Sequence, residues 1–491
     1  MGPLLLAIDQ GTSNSKALLI DQSEAIVAKA SAPVGVSYPR PGWVEQSGEE
    51  IWQSVLAVIE RCLTDIDPPR LAAIGISNQR ESVMLWERHT GRPVGPCVTW
   101  QCRRSAERLD ALRSPAFEAE VLGLTGLGLD PLFPAAKLGW LLDAYPDARR
   151  LADHGGLCAG TVDSWLLFKL TGGAVHATDF GNASRTQLFD IHRLGWSTEL
   201  ADVFGVPISI LPSPRPSDTR FGETIAQGAI PPGVPIHAVM GDSHAALYGH
   251  GIRKPGAVKA TYGTGSSLMT LTDTPLRSVS GLSTTIAWQE GGTTAYALEG
   301  NISVSAQAAG WVASILGLKD AAELTTLAAT VEDNGGVYFV PALAGLGAPH
   351  WQDKARAVFS GMSLGTSRAH LARATLEAIA LQVRDVFGAM ETDLGASLEI
   401  LSVDGGATQN DLLMQIQADV LQRPVQRKMV SELSAAGVAT MAGVAAGIWT
   451  AEGPSALRRS RDRLEPRIDP SQQEVLLQAW GDALKRVVLL P

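Results

Sequence analysis

The sequence predicts an α/β protein made of two related halves. Two observations carry that expectation. Apolar strand-like segments alternate with helical ones along the chain. One local pattern also occurs twice. Leu4 to Ile8 runs into Asp9-Gln10-Gly11-Thr12-Ser13-Asn14-Ser15-Lys16 and on to Ala17–Ile20. Far downstream, Ala260-Thr261-Tyr262 runs into Gly263-Thr264-Gly265-Ser266-Ser267 and on to Leu268–Leu271. Each is an apolar strand, a turn rich in Gly, Thr and Ser, and a second apolar strand. With 491 residues and roughly 150 per domain, two to four domains are expected.

The elements follow in order. Ser47 and Glu50 match a capping box, so a helix starts there and buries Ile51, Val55, Val58, Ile59, Cys62 and Ile66 at a period near 3.6. Leu71–Ile76 reads as a buried strand, followed by a turn over Ser77–Glu81 and a second strand over Val83–Trp86. Residues 105–235 hold weaker helices and end in proline-rich stretches. Ile236–Gly241 is a strand with Asp242 at its carboxyl end. Gly249–Gly256 reads as a hinge, dividing the chain into domains 1–248 and 249–491. In the second half, a long helix is expected from Ser367 to Leu394, stopped by Gly395. A strand over Leu398–Val403 leads into Asp404-Gly405-Gly406-Ala407, and a helix follows from Asn410 to Leu421.

Composition narrows the function. Hydrophobic residues are 45% of the chain and charged residues 18%, enough for large cores and against global disorder. Net charge is -10 without a dense Lys/Arg block, which argues against a nucleic-acid partner. No apolar stretch approaches the ~20 residues of a membrane span, and residues 1–8 lack the pattern of a signal peptide. The four cysteines, Cys62, Cys97, Cys102 and Cys158, form no metal-type spacing. They predict reduced thiols and a cytoplasmic address. Oligomeric state is left open, a homo-oligomer included.

Several residues could carry chemistry. Glycines let the two turns approach an anion closely, while hydroxyls and turn N–H groups supply donors, so the paired hairpins suit a polyphosphate. Asp9 beside such a turn calls for a cation such as Mg²⁺ between carboxylate and phosphate. Asp242, at a strand end, is the best candidate base, though a helix-capping role is equally compatible with its position. Arg80 and Glu81 offer a donor beside an acceptor, as polyol hydroxyls require, or a plain ion pair. Trp100 offers a flat wall for a C–H face, or a core side chain. The Gly-Gly of Asp404–Asn410 permits close backbone approach to a ligand, or is an ordinary turn.

With these motifs in order, the chain resembles the FGGY family of carbohydrate kinases, and within it the glycerol kinase branch. The resemblance rests on Asp9–Thr12, Asn78–Glu81, Trp100–Arg104, Gly241-Asp242, Tyr262–Gly265, Asp404–Ala407 and a second signature over Ala357–Glu377. It implies two actin-like, ribonuclease H-like ATPase domains closing over ATP and Mg²⁺ in a cleft between them. It implies that Asp9 organises Mg²⁺, and that Thr12, Ser13, Asn14, Lys16, Gly263 and Thr264 lie near the phosphates. Gly406 and Asn410 would line the adenosine. Arg80, Glu81, Trp100 and Asp242 would hold the acceptor, with Asp242 as base.

The departures are as informative. Leu132, Ser243 and Ser267 stand where that branch carries Tyr, Gln and Phe, and Lys16 stands for Arg. Ala306 and Gly310 stand for Gly and Gln on the nucleotide-facing helix. The expected activity is ATP-dependent phosphorylation of a small polyol or sugar. The alternatives are a pentulose (xylulose-type) or tetritol kinase on the same scaffold and, more remotely, a non-catalytic actin-like nucleotide-binding regulator.

Overall fold

The computed structural model describes residues 2–64, 66 and 70–488, and its two halves share one strand order. Met1 and residues 489–491, at the ends of the expected domains, lie outside the described residues. In the first half, Leu4–Gln10 pairs antiparallel with Asn14–Asp21, which pairs with Ile26–Pro33. Leu71–Asn78 joins the other side of Leu4–Gln10 in parallel, and Pro235–Gly241 joins Leu71–Asn78 in parallel. In the second half, Ala257–Tyr262, Ser266–Thr272 and Thr293–Ile302 form the antiparallel set. Ile400–Asp404 and Val425–Lys428 add on in parallel. Each sheet, edge strands aside, therefore runs third, second, first, fourth, fifth. The repeated hairpin is the visible start of a repeated domain.

Residue type explains the central strands. Leu4–Ile8 is buried at every position, as a strand covered on both faces requires. Ser47 caps the helix Gly48–Leu63 by accepting from the Glu50 N–H, but the Glu50 carboxylate lies over Gly35, so only half of the expected box forms. That helix ends at Leu63 rather than Ile66, with Pro68 and Pro69 following in the sequence. The strand Leu71–Asn78 includes Ser77 and Asn78, which the sequence placed in a turn. Register explains the difference: both pair with the end of Leu4–Gln10. The long helix spans Arg368–Leu394 with Ser367 as cap and Gly395 at φ 62°, as expected.

Val83–Glu87 leaves the main sheet. It joins a small sheet with Glu45–Gln46, Cys97–Val98 and Leu157–Thr161, which helices from residues 106–204 cover. Leu85, Leu109, Val121, Leu138 and Leu141 fill that separate core. All four cysteines are buried and unbridged.

The two halves also share a core. Leu5, Ala238 and Met240 of the first pack with Met269, Ala297, Val438 and Ala439 of the second. At its centre the helix Asp242–Gly249 crosses the helix Leu433–Ala445 at Gly437, where a Cβ would overlap the Ala245 carbonyl oxygen. His250–Gly256 links that helix to Ala257–Tyr262. In an ordinary helix Gly→Ala gains about 1 kcal/mol. Here overpacking, worth about 1–3 kcal/mol, reverses the sign, so Gly437→Ala should lower the urea midpoint. A raised midpoint would show that the crossing is not tight.

Candidate active site

The carboxyl ends of the central strands in both halves open onto one cleft, the usual ligand position in such sheets. Asp9 lies opposite Ser77 in the first sheet, and Asp242 follows Gly241, which lies opposite Asn78. In the second sheet Thr261 lies opposite Asp404. Asp9, Lys16, Asp242, Thr261, Asp404 and Gly405 line a cavity of about 230 Å³. A larger surface cavity of about 530 Å³, beside Glu120, Arg193 and Glu199, contains none of the residues singled out from the sequence.

The first turn is held by buried amides. The Gly11 N–H donates to the Asn14 carbonyl at 2.9 Å. Gln46 Nε2 donates to the Thr12 carbonyl at 2.8 Å, and Gln10 Nε2 to the Gly11 carbonyl at 2.7 Å. Gln79 Nε2 joins the two glutamines, donating to Gln10 Oε1 at 3.0 Å and Gln46 Oε1 at 2.8 Å. Ser13 and Asn14 are exposed at the tip, and Lys16 lies opposite Asp9. Trp100 is 37% exposed, and its Nε1–H donates to Thr12 Oγ1 at 2.9 Å. The tryptophan is therefore not a core side chain, and its indole is tied directly to the turn.

In the second turn the Gly263 and Thr264 carbonyls accept from the N–H groups of Ala306 and Ser305 at 3.2 and 2.9 Å, leaving both residues exposed. Gly406 is exposed in the short turn Gly406–Gln409, with open space around it. Asn410 caps the helix Asp411–Leu421 by accepting from Leu413 N–H, and it donates to Thr325 Oγ1 at 2.8 Å. Gly310 is exposed, and a Cβ there would meet nothing within 4 Å among the described residues beyond its own helix, so the helix Gln307–Ile315 presents a gap there.

Asp242 is not a helix cap. Gly241 occupies that position, and Asp242 Oδ1 accepts from the adjacent Ser243 N–H at 2.6 Å. Its side chain stays 37% exposed, 3.4 Å from Arg80 Nε. Burial in the cleft raises its proton affinity, and Arg80 opposes the rise. His244 is fully buried and accepts from Arg80 Nη1 at 3.3 Å. Burial and the Arg80 charge hold its pKa well below the usual range, so it stays neutral.

Arg80 and Glu81 do not form the plain ion pair that was the alternative to an acceptor site. They are neither a surface pair nor paired with each other; both are 6% exposed. Arg80 grips Glu299 with Nη1 at 3.0 Å and Nη2 at 2.5 Å. Glu81 accepts from Arg185 Nε at 2.6 Å. Glu81 has φ 59°, and this left-handed step lets neighbouring residues send their side chains into one buried region. Arg80 Nε has no hydrogen-bond partner among the described residues. Ser243 Oγ and Ser267 Oγ approach to 3.4 Å across the halves. Leu132 stands in the loop that Lys137 fixes by donating to the Leu132 carbonyl at 2.6 Å and to the Trp100 carbonyl at 3.4 Å.

Sequence reasoning missed Arg185, Glu299 and Lys259. Lys259 is fully buried with no hydrogen-bond partner for its Nζ among the described residues, in the field of Asp404, Glu299 and Asp242. The signal was available: Glu299 and Lys259 are charges inside otherwise apolar strands, Leu298-Glu299-Gly300 and Val258-Lys259-Ala260.

Burial and the neighbouring Asp242 raise the Asp9 pKa to about 6 from 3.8, despite Lys16 and the bond from Ser77. A raised folded-state value favours the protonated form. Its contribution to stability is full below pH ~4 and is lost as pH rises through ~6. Asp9→Asn should therefore stabilise the ligand-free protein at pH 8, by up to about 3 kcal/mol, and change little at pH 4. Denaturant melts at the two pH values check this. Equal effects at both would contradict it.

Comparison with known proteins identifies the family and the fold. Residues 4–249 match the N-terminal domain of the FGGY family of carbohydrate kinases, and residues 258–446 match its C-terminal domain. The chain is 47% identical to an apulose kinase of Pectobacterium atrosepticum, over 100% of this chain and 99% of the relative. It is 46% identical to a glycerol kinase of Thermus brockianus, over 98% of each. Among solved structures, Plasmodium falciparum glycerol kinase with ADP superposes with TM-score 0.94 at 30% identity, covering 100% of this chain and 99% of that one. A xylulose kinase from Rhodospirillum rubrum superposes at 0.86 with 26% identity, covering 98% of each chain. The duplicated strand order is thus the two-domain actin-like ATPase fold of these kinases. The chain belongs to the FGGY family of carbohydrate kinases, and it is an ATP-dependent phosphotransferase acting on a hydroxyl group.

Proposed function

We propose that this kinase phosphorylates a four- or five-carbon ketose or polyol in preference to glycerol. The observation that carries this reading is the pair Ser243 and Ser267, which meet at 3.4 Å beside Asp242. Two small hydroxyl side chains there leave room and hydrogen-bonding capacity for a substrate with more hydroxyls. A site built around such hydroxyls discriminates strongly against ligands that lack them. The relative named for apulose, a pentulose, supports the reading. The relatives named for glycerol support the second reading, glycerol itself.

In this reading Trp100 backs the carbon chain, while Arg80 Nε and Glu81 address hydroxyls beside Asp242. Asp242 accepts the proton of the attacking hydroxyl. The new O–P bond forms at the γ-phosphorus of ATP as the bond to the β–γ bridging oxygen breaks, and ADP leaves. Thr12, Ser13, Asn14 and Lys16 on one turn, with Gly263 and Thr264 on the other, receive the phosphates. Gly406 and Asn410 face the adenosine, with Gly310 leaving open space in that wall.

Asp9 is the residue proposed to hold Mg²⁺. Among the described residues no cluster of three or more His, Cys, Asp or Glu forms an all-protein cage. A single cleft carboxylate fits Mg²⁺, which is usually held by one or two carboxylates plus substrate phosphates and water. When bound, the ion neutralises charge on the phosphates. Domains 1–248 and 249–491 close on the His250–Gly256 link and exclude water. No helix among the described residues is long and apolar enough to cross a membrane. The four unbridged cysteines support a cytoplasmic setting.

Asp242→Asn should keep the fold and nucleotide binding while lowering phosphorylation by ~10²–10⁴-fold. Near-normal turnover would remove Asp242 as base. Competitive turnover on glycerol, erythritol, xylitol, xylulose and a branched pentulose tests the substrate. The wild type should give a higher kcat/KM on a larger acceptor, and Ser243→Gln with Ser267→Phe should move preference toward glycerol. A wild type that prefers glycerol, or a double variant with no shift, would leave glycerol as the substrate.

A further inference from the structure

The acceptor residues Arg80, Glu81 and Asp242 all belong to the first half of the chain, yet their side chains are locked by one residue of the second. Glu299, 1% exposed on the strand Thr293–Ile302, receives Arg80 on both oxygens. Its Oε2 also lies 2.8 Å from Arg185 Nη1, and Ser267 Oγ donates to its Oε1 at 3.4 Å. Arg185 carries the chain of charges on to Glu81 at 2.6 Å, and Arg80 carries it to Asp242 at 3.4 Å. The run Glu81, Arg185, Glu299, Arg80, Asp242 alternates in sign and crosses between the halves at Glu299. The guanidinium–carboxylate fork fixes the plane of Arg80. It leaves Nε, which has no hydrogen-bond partner among the described residues, on the edge toward Asp242.

We propose that Glu299 is a positioning residue that couples acceptor binding to closure of the two halves. Docking of the second half through Glu299 orients Arg80, and through Arg185 it orients Glu81. The acceptor pocket is complete only while the halves are engaged there. An acceptor that uses Arg80 Nε and Glu81 therefore favours the engaged arrangement, which excludes water from the phosphoryl group. Without the Glu299 charge, the two buried guanidinium groups lose the carboxylate they share, keep only Glu81 and Asp242 as counter-charges, and separate. The pocket then loses its geometry, although the turns that receive the phosphates are untouched. This inference rests on the reading of Arg80, Glu81 and Asp242 as the acceptor site.

The test compares Glu299→Gln and Glu299→Asp with wild type, measuring KM for the preferred acceptor, KM for ATP, and the ratio of ADP formed to acceptor phosphorylated. Glu299→Gln should raise the acceptor KM by about tenfold or more, the usual scale for unpairing a buried charge. It should leave the KM for ATP within about twofold and raise the ADP-to-product ratio, and Glu299→Asp should restore part of both losses. A folded Glu299→Gln with unchanged acceptor KM and an unchanged ratio would overturn the proposal. So would a fall in Tm with no change in that split, because a purely structural bridge predicts it. If Glu299→Gln does not fold, Arg185→Met decides. It breaks the link to Glu81, and it should raise the acceptor KM; an unchanged value overturns the coupling. Asp242→Asn separates this proposal from the site reading. If that variant is inactive while Glu299→Gln is normal, the coupling alone fails.

Discussion

The buried charge ladder at the meeting of the two halves is the constraint on which the rest of the site depends. Two arginines and two glutamates, Arg80, Arg185, Glu81 and Glu299, are removed from water together. Such burial is tolerated only with complete pairing, and removing one partner typically costs about 3–5 kcal/mol. Much local structure serves that pairing. Glu81 takes a left-handed backbone step to reach Arg185. Gly241 has no side chain because a Cβ there would lie 2.5 Å from Arg80 Cγ. His244 stays neutral and accepts from Arg80 instead of competing with it.

A second set of contacts binds the proposed acceptor side to the proposed phosphate side. Gln10, Gln46 and Gln79 satisfy one another and hold the first turn through its carbonyls. Ser82 Oγ donates to Gln79 and accepts from the Trp100 N–H, while the Trp100 indole donates to Thr12. These contacts fasten Trp100 to the turn without involving Glu299 or Arg185. Across the mouth of the cleft, Arg103 reaches Asp353 of the second half at 3.3 Å, but both side chains are more than half exposed, so water screens the pair. The buried contacts, not this surface one, decide how the halves meet.

The sequence made some of this readable and hid the rest for physical reasons. The hairpins, the helix Arg368–Leu394 and the strand end at Asp242 are local patterns of apolar period, turn chemistry and capping, so they could be read directly. The family resemblance and the exposed turn residues followed from the same local motifs. What could not be read was partnership. Arg80 and Glu299 are 219 positions apart, and their pairing depends on how two sheets face each other. Arg80-Glu81 therefore looked like a self-contained pair when each side chain serves a different partner. The small sheet that takes Val83–Glu87 away from the main one was hidden too, because strand pattern does not name its neighbours. A buried charge in an apolar strand was the one signal of Glu299 and Lys259 available without coordinates.

The central claim is that acceptor and γ-phosphate meet at Asp242 between the two halves. A crystal structure with a non-hydrolysable ATP analogue, Mg²⁺ and a pentulose tests it most directly. The account predicts an acceptor hydroxyl within about 3 Å of the Asp242 carboxylate, on the line of the γ-phosphate. It also predicts polyphosphate contacts from both the Gly11–Asn14 and Gly263–Gly265 turns. A sugar bound away from Asp242, or a nucleotide held by one turn alone, would contradict it.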